Sequence, residues 1–367
     1  MDRRTFLTAA SSGLLLGFSH ARLGRADEVA PEVQKAIDKG LQYLARTQSK
    51  AGYFEGNGGQ YPVALTALAG QAMLMEGSTL REGKYAENIR RIVDYLMERV
   101  QRNGLIGNPN NAQESARYTY GHGFGLLFLA SVYGEEEDGD RRQKMEEVLT
   151  RAVDFCGKAQ TTRGGWGYVS AMDSNDFDEG SVTITQLQAL RAARNTGIVV
   201  PKEPINKARK YLEDSTTANG GVMYRPGQPG ERPALTAAAV ACGFNVGEYD
   251  STIVKRWLKS AAATMGPLGG STGRNGHDEY AHYYWAQAVY ILGDDTYGKL
   301  FPDLPASERV TWTRYKEQNF NNMVRGQNED GSWTGNSPWA RFGAVYTTSM
   351  YLSILQLDKA VLPIYQR

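Results

Sequence analysis

Acids, histidines and hydroxyls gather at a few points of this 367-residue chain, and each gathering could support chemistry. Asp176-Phe177-Asp178-Glu179 runs directly into Ser181 and Thr183. A carboxylic acid kept protonated there, Asp178 or Glu179, could act as a general acid. The same acidic run also suits the start of a helix, where carboxylates favour the dipole. His122 stands beside Tyr120, and Asp278-Glu279-Tyr280-Ala281-His282 puts an acid and an imidazole four residues apart. Arg341 and Tyr346 form a further polar group near the C-terminus. For each histidine the bland reading is a helix-start residue bonded to a neighbouring loop; the sharper one is a ligand or catalytic role.

The elements that must position these residues follow one repeated grammar. An amphipathic helix leads into a glycine-aromatic loop, and a more apolar second helix often closes on glycine. Six such loops occur, among them Gln48 to Phe54, Gln160-Thr161-Thr162-Arg163-Gly164-Gly165-Trp166 and Gln327-Asn328-Glu329-Asp330-Gly331-Ser332-Trp333. Others lie at Gln101 to Leu105, Asn219 to Val222 and Gly266 to Gly270. Gly77, Gly134, Gly197, Gly247 and Gly293 follow the apolar helices, where a left-handed stop favours a residue without Cβ. The second helices carry apolar residues on more than one face and are expected to form an inner ring. The first helices have one core stripe, as at Ile205, Ala208 and Leu212, and should lie outside. Gln and Trp in the loops are read as a structural staple, Gln bonding helix-end groups and Trp sealing the joint between pairs.

The Gln, three residues, Gly, x, Trp pattern at Gln160 and Gln327 resembles the QW motif of squalene cyclases. The degenerate copies resemble the repeat of protein prenyltransferase β subunits, from about Pro31 onward. Tyr120-Gly121-His122-Gly123-Phe124, Glu179 to Thr183, Tyr283-Tyr284-Trp285 and Val345 to Thr348 resemble exported prenyltransferase/squalene oxidase repeat proteins of planctomycete-like bacteria. The resemblance implies an all-α protein, a closed (α/α)6 toroid of six helix pairs with inner helices parallel, essentially no sheet, and one domain over 27–367. All inner helix starts would then share one rim. Tyr120, His122, Ser181, Tyr280, His282, Arg341 and Tyr346 would lie there, above a deeper apolar wall that includes Phe124, Phe128, Tyr284, Trp285 and Tyr351.

The chemistries of these relatives fit unevenly. The Asp-x-Asp-Asp-Thr motif of class II cyclases falls on Glu179-Gly180-Ser181-Val182-Thr183, which puts Ser181 at the proton donor's position; a shifted register would offer Asp178. The prenyltransferase zinc site is matched only by Asp278 and His282, with His282 one residue late, and Asp154-Phe155-Cys156 lies in the wrong repeat. No metal and no cofactor are therefore expected. Thioester domains need Cys and Gln three apart, whereas Cys156 and Gln160 are four apart. The leading expectation is a central cavity for an apolar or amphipathic, isoprenoid-like ligand. The alternatives are a carbohydrate-active α/α barrel, lyase or hydrolase, and a scaffold that binds a partner protein.

Lys and Arg number 41 against 40 Asp and Glu, with no basic stripe, so nucleic acid is not an expected partner. Past the N-terminus no apolar run is long enough to span a bilayer. Cys156 and Cys242 cannot make a disulfide framework and are read as two buried thiols. Residues 1–26 read as a twin-arginine leader: Arg3-Arg4-Thr5-Phe6-Leu7, a modest apolar core, then Ala21 or Ala26 for cleavage. The expected location is periplasmic or extracellular. Replacing both Arg3 and Arg4 by Lys should hold the protein in the cytoplasm in a fractionation experiment; unchanged export would refute the leader.

Overall fold

The computed structural model describes residues 29–173, 176–245, 247–268 and 278–365. The leader lies outside the described residues. Six described helices make an inner ring: α2 (Pro62–Glu76), α4 (Tyr118–Tyr133), α6 (Gly180–Asn195), α8 (Pro233–Asn245), α10 (Asp278–Leu292) and α13 (Ala344–Leu355). Each packs on the next, and α13 packs back on α2, so the ring closes. Around it lie α1 (Pro31–Thr47), α3 (Ala86–Glu98), α5 (Gly139–Ala159), α7 (Lys202–Asp214), α9 (Thr252–Thr264) and α12 (Trp312–Arg325). A short α11 (Thr296–Leu300) leads toward α12. Among the described residues there is no strand, only isolated bridges within the loops. No described helix is long and apolar enough to cross a membrane.

Burial follows the two helix types. In α2 every residue from Pro62 to Met75 is buried, whereas α3 buries one face through Ile89, Ile92, Val93 and Leu96. An apolar helix with no polar face stays in water only at a large cost, so it takes the inner position and the amphipathic helices shield it. The helix stops are left-handed at Gly77 (φ 111°) and Gly197 (φ 91°), as expected. Gly134 departs from this pattern and stays right-handed at φ −69°.

Three of the loops join the pairs in a common way. Gln160 Nε2 donates to its own loop at Gly164 O (2.8 Å) and to Pro204 O at the next outer helix (2.9 Å). Gln48 does the same to Gly52 O and Asn88 O. Gln327 donates to Gly331 O and to Ala36 O of α1, so the sixth loop ties the last pair to the first. At Gly331 (φ 86°) a Cβ would stand 2.5 Å from Lys39 O, which leaves glycine alone able to make the contact. Trp333 completes the seal: it is buried, its indole N–H donates to Met323 O (2.6 Å), and its ring abuts Gly40 of α1. Cys156 and Cys242 are separate, buried free thiols.

Trp333→Ala should therefore lower unfolding stability by about 3–5 kcal/mol and move the urea midpoint accordingly. The exposed Val199→Ala should barely move it. A loss at Trp333 no larger than at Val199 would contradict closure through this joint.

Candidate functional site

The first turns of all six inner helices line one cavity of about 510 Å³, so their N-termini share one rim. Its wall is mostly apolar: Ala64, Leu65 and Leu68 of α2, Phe124 of α4, Leu235 of α8 and Met350 of α13. Allowing for close packing, this space suits a hydrocarbon of roughly twenty carbons. Arg117, Tyr168, Tyr224, Gln228, Glu231, Arg232 and Trp339 come from the loops and surround the mouth. Tyr61 caps α2 in the left-handed region (φ 51°), a conformation that costs a tyrosine on the order of 1–3 kcal/mol. Its ring meets the edge of Phe342, 4.9 Å away, at the same mouth.

Further along the helices the ring axis turns polar and closed. Gln188 Nε2 donates to Gln287 Oε1 (2.8 Å), and the Tyr283 hydroxyl meets that of Tyr365 (3.0 Å). Residues 363–365 pack on α6 and carry Tyr365 into this layer. The cavity therefore has a floor.

Glu179 is the carboxylate at the centre of the site. It caps α6, is fully buried, and accepts from the backbone amides of Ser181 (2.8 Å) and Val182 (2.9 Å). The Ser181 hydroxyl donates to it at 2.6 Å, and the Tyr120 hydroxyl lies 3.1 Å from Oε1 and 2.6 Å from Ser181 Oγ. Burial pushes its pKa up, while these donors pull it down. Tyr120 and Tyr280 are held far above the usual phenol range, first by burial. Neither is a base at neutral pH.

Of the residues expected at the rim, Tyr120, Ser181, Tyr280 and Tyr346 line the cavity, together with Glu179. The two histidines do not. Ile106 N donates to His122 Nδ1 (3.1 Å), and His122 Nε2 lies 3.3 Å from Cys156 Sγ on the outer α5. His282 Nδ1 lies 3.1 Å from the Tyr315 hydroxyl of α12. Burial lowers both imidazoles, to about 3 and about 4, so both stay neutral. Thr66, Thr183, Thr236 and Thr348 accept a loop amide from the same turn of their own inner helices, at 2.8 to 3.0 Å. His122 thus fills a recurring loop-anchoring position, and His282 has the same place in its helix.

The other candidates are also engaged elsewhere. Asp178 is buried against a two-pronged Arg163 contact, Nε at 3.0 Å and Nη2 at 2.9 Å, and accepts from the Thr161 hydroxyl, facing the outer layer. Asp278 is half-buried at the start of α10 and is not in the cavity wall. Arg341 is exposed, its guanidinium over the Phe342 ring, and Trp285 is buried in the helix packing. Of the deeper aromatics only Phe124 reaches the cavity; Phe128 packs on Gly70 and Tyr351 on Trp333. The loop residues Arg117, Tyr168, Tyr224 and Trp339 escaped sequence reasoning. The aromatic that follows the glycine loop, as in Trp166-Gly167-Tyr168 and Val222-Met223-Tyr224, was the available signal.

This closed ring is a terpenoid cyclase-like α/α toroid. No protein-family model matches the chain. A type II terpene cyclase, MstE from Scytonema, superposes with a TM-score of 0.59 at 13% identity, over 90% of this chain and 99% of that one. An inactivated α-1,6-mannanase from a Salegentibacter species, in complex with α-1,6-mannotriose, superposes with a TM-score of 0.62 at 10% identity, over the same shares. At these identities the likeness is one of fold. In sequence, drimenyl diphosphate synthase of Streptomyces showdoensis is 26% identical over 141 residues, 38% of this chain. The matched part spans 24% of that relative's length.

Proposed function

We propose that the cavity holds an apolar or amphipathic, isoprenoid-like ligand, with the hydrocarbon inside the ring and a polar end at the rim. The observation that carries this reading is the apolar enclosure formed by six helix starts, floored within the ring and edged by polar loop residues. Such an interior gains free energy by taking hydrocarbon out of water. In support, the MstE cyclase of similar fold has been solved with geranylgeranyl dihydroxybenzoate. Ser181 occupies the position of the alkene-protonating acid and cannot serve as one. The acids that line the cavity are Glu179, whose pKa burial raises against the pull of its donors, and Glu231. The proposal is one of ligand binding and assigns no reaction, in a protein that its twin-arginine leader would export.

A carbohydrate reading has one observation in its favour: Glu179 and Glu231 both line the cavity, as a pair of acids would in a hydrolase. Against it, Glu179 is saturated by its own neighbours, and Glu231 accepts from the Thr217 hydroxyl. The wall of Leu, Phe and Met offers sugars few hydrogen-bond partners.

Titrating the purified protein with geranylgeraniol while following tryptophan emission tests this reading. Saturable quenching is expected, weakened at least about tenfold, near 1.4 kcal/mol, in a Leu68→Trp variant that fills the wall and keeps its helical circular dichroism. Mannotriose should give no saturable signal. Absence of geranylgeraniol binding, or equal binding by the filled variant, would overturn it.

A further inference from the structure

We infer that the ligand is anionic, a carboxylate or phosphate on a hydrocarbon chain, and that Arg117 at the cavity mouth recognises its head group. This rests on the hydrocarbon-binding reading above and adds the charge of the ligand. The ground for it is which hydrogen-bonding capacity at the cavity is already used and which is not.

The acceptors of Glu179 are used, and one oxygen of Glu231 is engaged. Glu179 takes two backbone amides and the Ser181 hydroxyl, with Tyr120 beside them, and Glu231 takes the Thr217 hydroxyl. Among the phenols, Tyr168 and Tyr224 bond to each other and Tyr280 lies 3.4 Å from Ser181 O, whereas the Tyr61 and Tyr346 hydroxyls make no hydrogen bond among the described residues. Of the charged groups, the Arg117 side chain stands without a polar partner. Its guanidinium lies over the Tyr168 ring at 4.3 Å and over the Trp339 ring at 5.3 Å. Among the described residues no carboxylate is within ion-pair reach of it, and the guanidinium makes no hydrogen bond. The stacking holds the guanidinium plane in place and leaves the N–H edge unspent, a preorganised fork for two oxygens. Arg232 also lines the mouth and likewise has no carboxylate partner among the described residues. A ligand bringing acceptor oxygens and negative charge satisfies this edge; a ligand bringing a cation would meet it with repulsion.

The opposing charges are Glu231, at the mouth with one oxygen on the Thr217 hydroxyl, and Glu179. The Glu179 carboxylate is covered by its own donors at the N-cap of α6, while Arg117, at the N-cap of α4 on the same rim, has no such partners. Tyr120 and Tyr168, with ring centroids 6.0 Å apart, stand between the two: Tyr120 bonds the Glu179 carboxylate and Tyr168 carries the Arg117 guanidinium on its face.

The test compares three probes of equal chain, farnesol, farnesoic acid and farnesyl monophosphate, by calorimetry and tryptophan emission at low salt. One or both anions should bind at least about tenfold more tightly than farnesol, with the advantage shrinking as salt rises. Arg117→Gln should bring the anions down to the farnesol level and leave farnesol unchanged; Arg117→Lys should keep part of the preference. A preference for one anion names the head group and supports the inference. Farnesol binding as tightly as both anions, or a preference that survives Arg117→Gln in a protein of unchanged melting temperature, overturns it while hydrocarbon binding stands. If none of the three binds, both readings fall together.

Discussion

Everything in this molecule depends on the joint between neighbouring helix pairs. At three of these joints a single glutamine amide bonds to its own glycine loop and to the backbone of the next outer helix, as Gln160 does to Gly164 O and Pro204 O. The loop carbonyl would otherwise need water, and the helix carbonyl takes the amide as a second donor. An aromatic or aliphatic residue follows, anchored by its amide to a threonine or histidine of the inner helix. Because the joint fixes how one pair sits on the next, repeating it fixes the curvature. The last joint, Gln327 to Ala36 O with Trp333 against Gly40, turns a solenoid into a ring.

The joint also places the cavity. Each inner helix begins just beyond its loop, so a regular joint delivers all the helix starts to one end of the ring. Short side chains and bulky ones then share the enclosed space, Ala64 and Ala234 beside Phe124 and Tyr346, which leaves the middle open. Deeper in the ring the glutamines and Tyr365 close the axis. The resulting volume is apolar with one buried carboxylate, and that carboxylate is tolerated because its own helix and its hydroxyl neighbours satisfy it.

The ring was legible in the sequence because its determinants are local and periodic: glutamine, glycine and an aromatic at fixed offsets, then an apolar helix. Tyr120, Ser181, Tyr280 and Tyr346 were legible for the same reason, being early residues of inner helices. His122 and His282 misled because the sequence was read for reactivity and not for register. Set beside Thr66, Thr183, Thr236 and Thr348, they occupy the turn that holds the loop, pointing outward. Asp178 misled because its partner Arg163 lies fifteen residues back, in a loop whose path the sequence does not reveal. Arg117 and Trp339 were missed because they come together only when loops of different repeats meet across the mouth.

The central claim is that the ring encloses a hydrocarbon-binding interior. Native mass spectrometry of the protein purified from its native host, followed by organic extraction of whatever it retains, tests this most directly. The prediction is a bound species that is released on denaturation and is rich in hydrocarbon, with a skeleton of roughly twenty carbons or fewer to match the enclosed volume. A bare chain that takes up oligosaccharide and no lipid would contradict it.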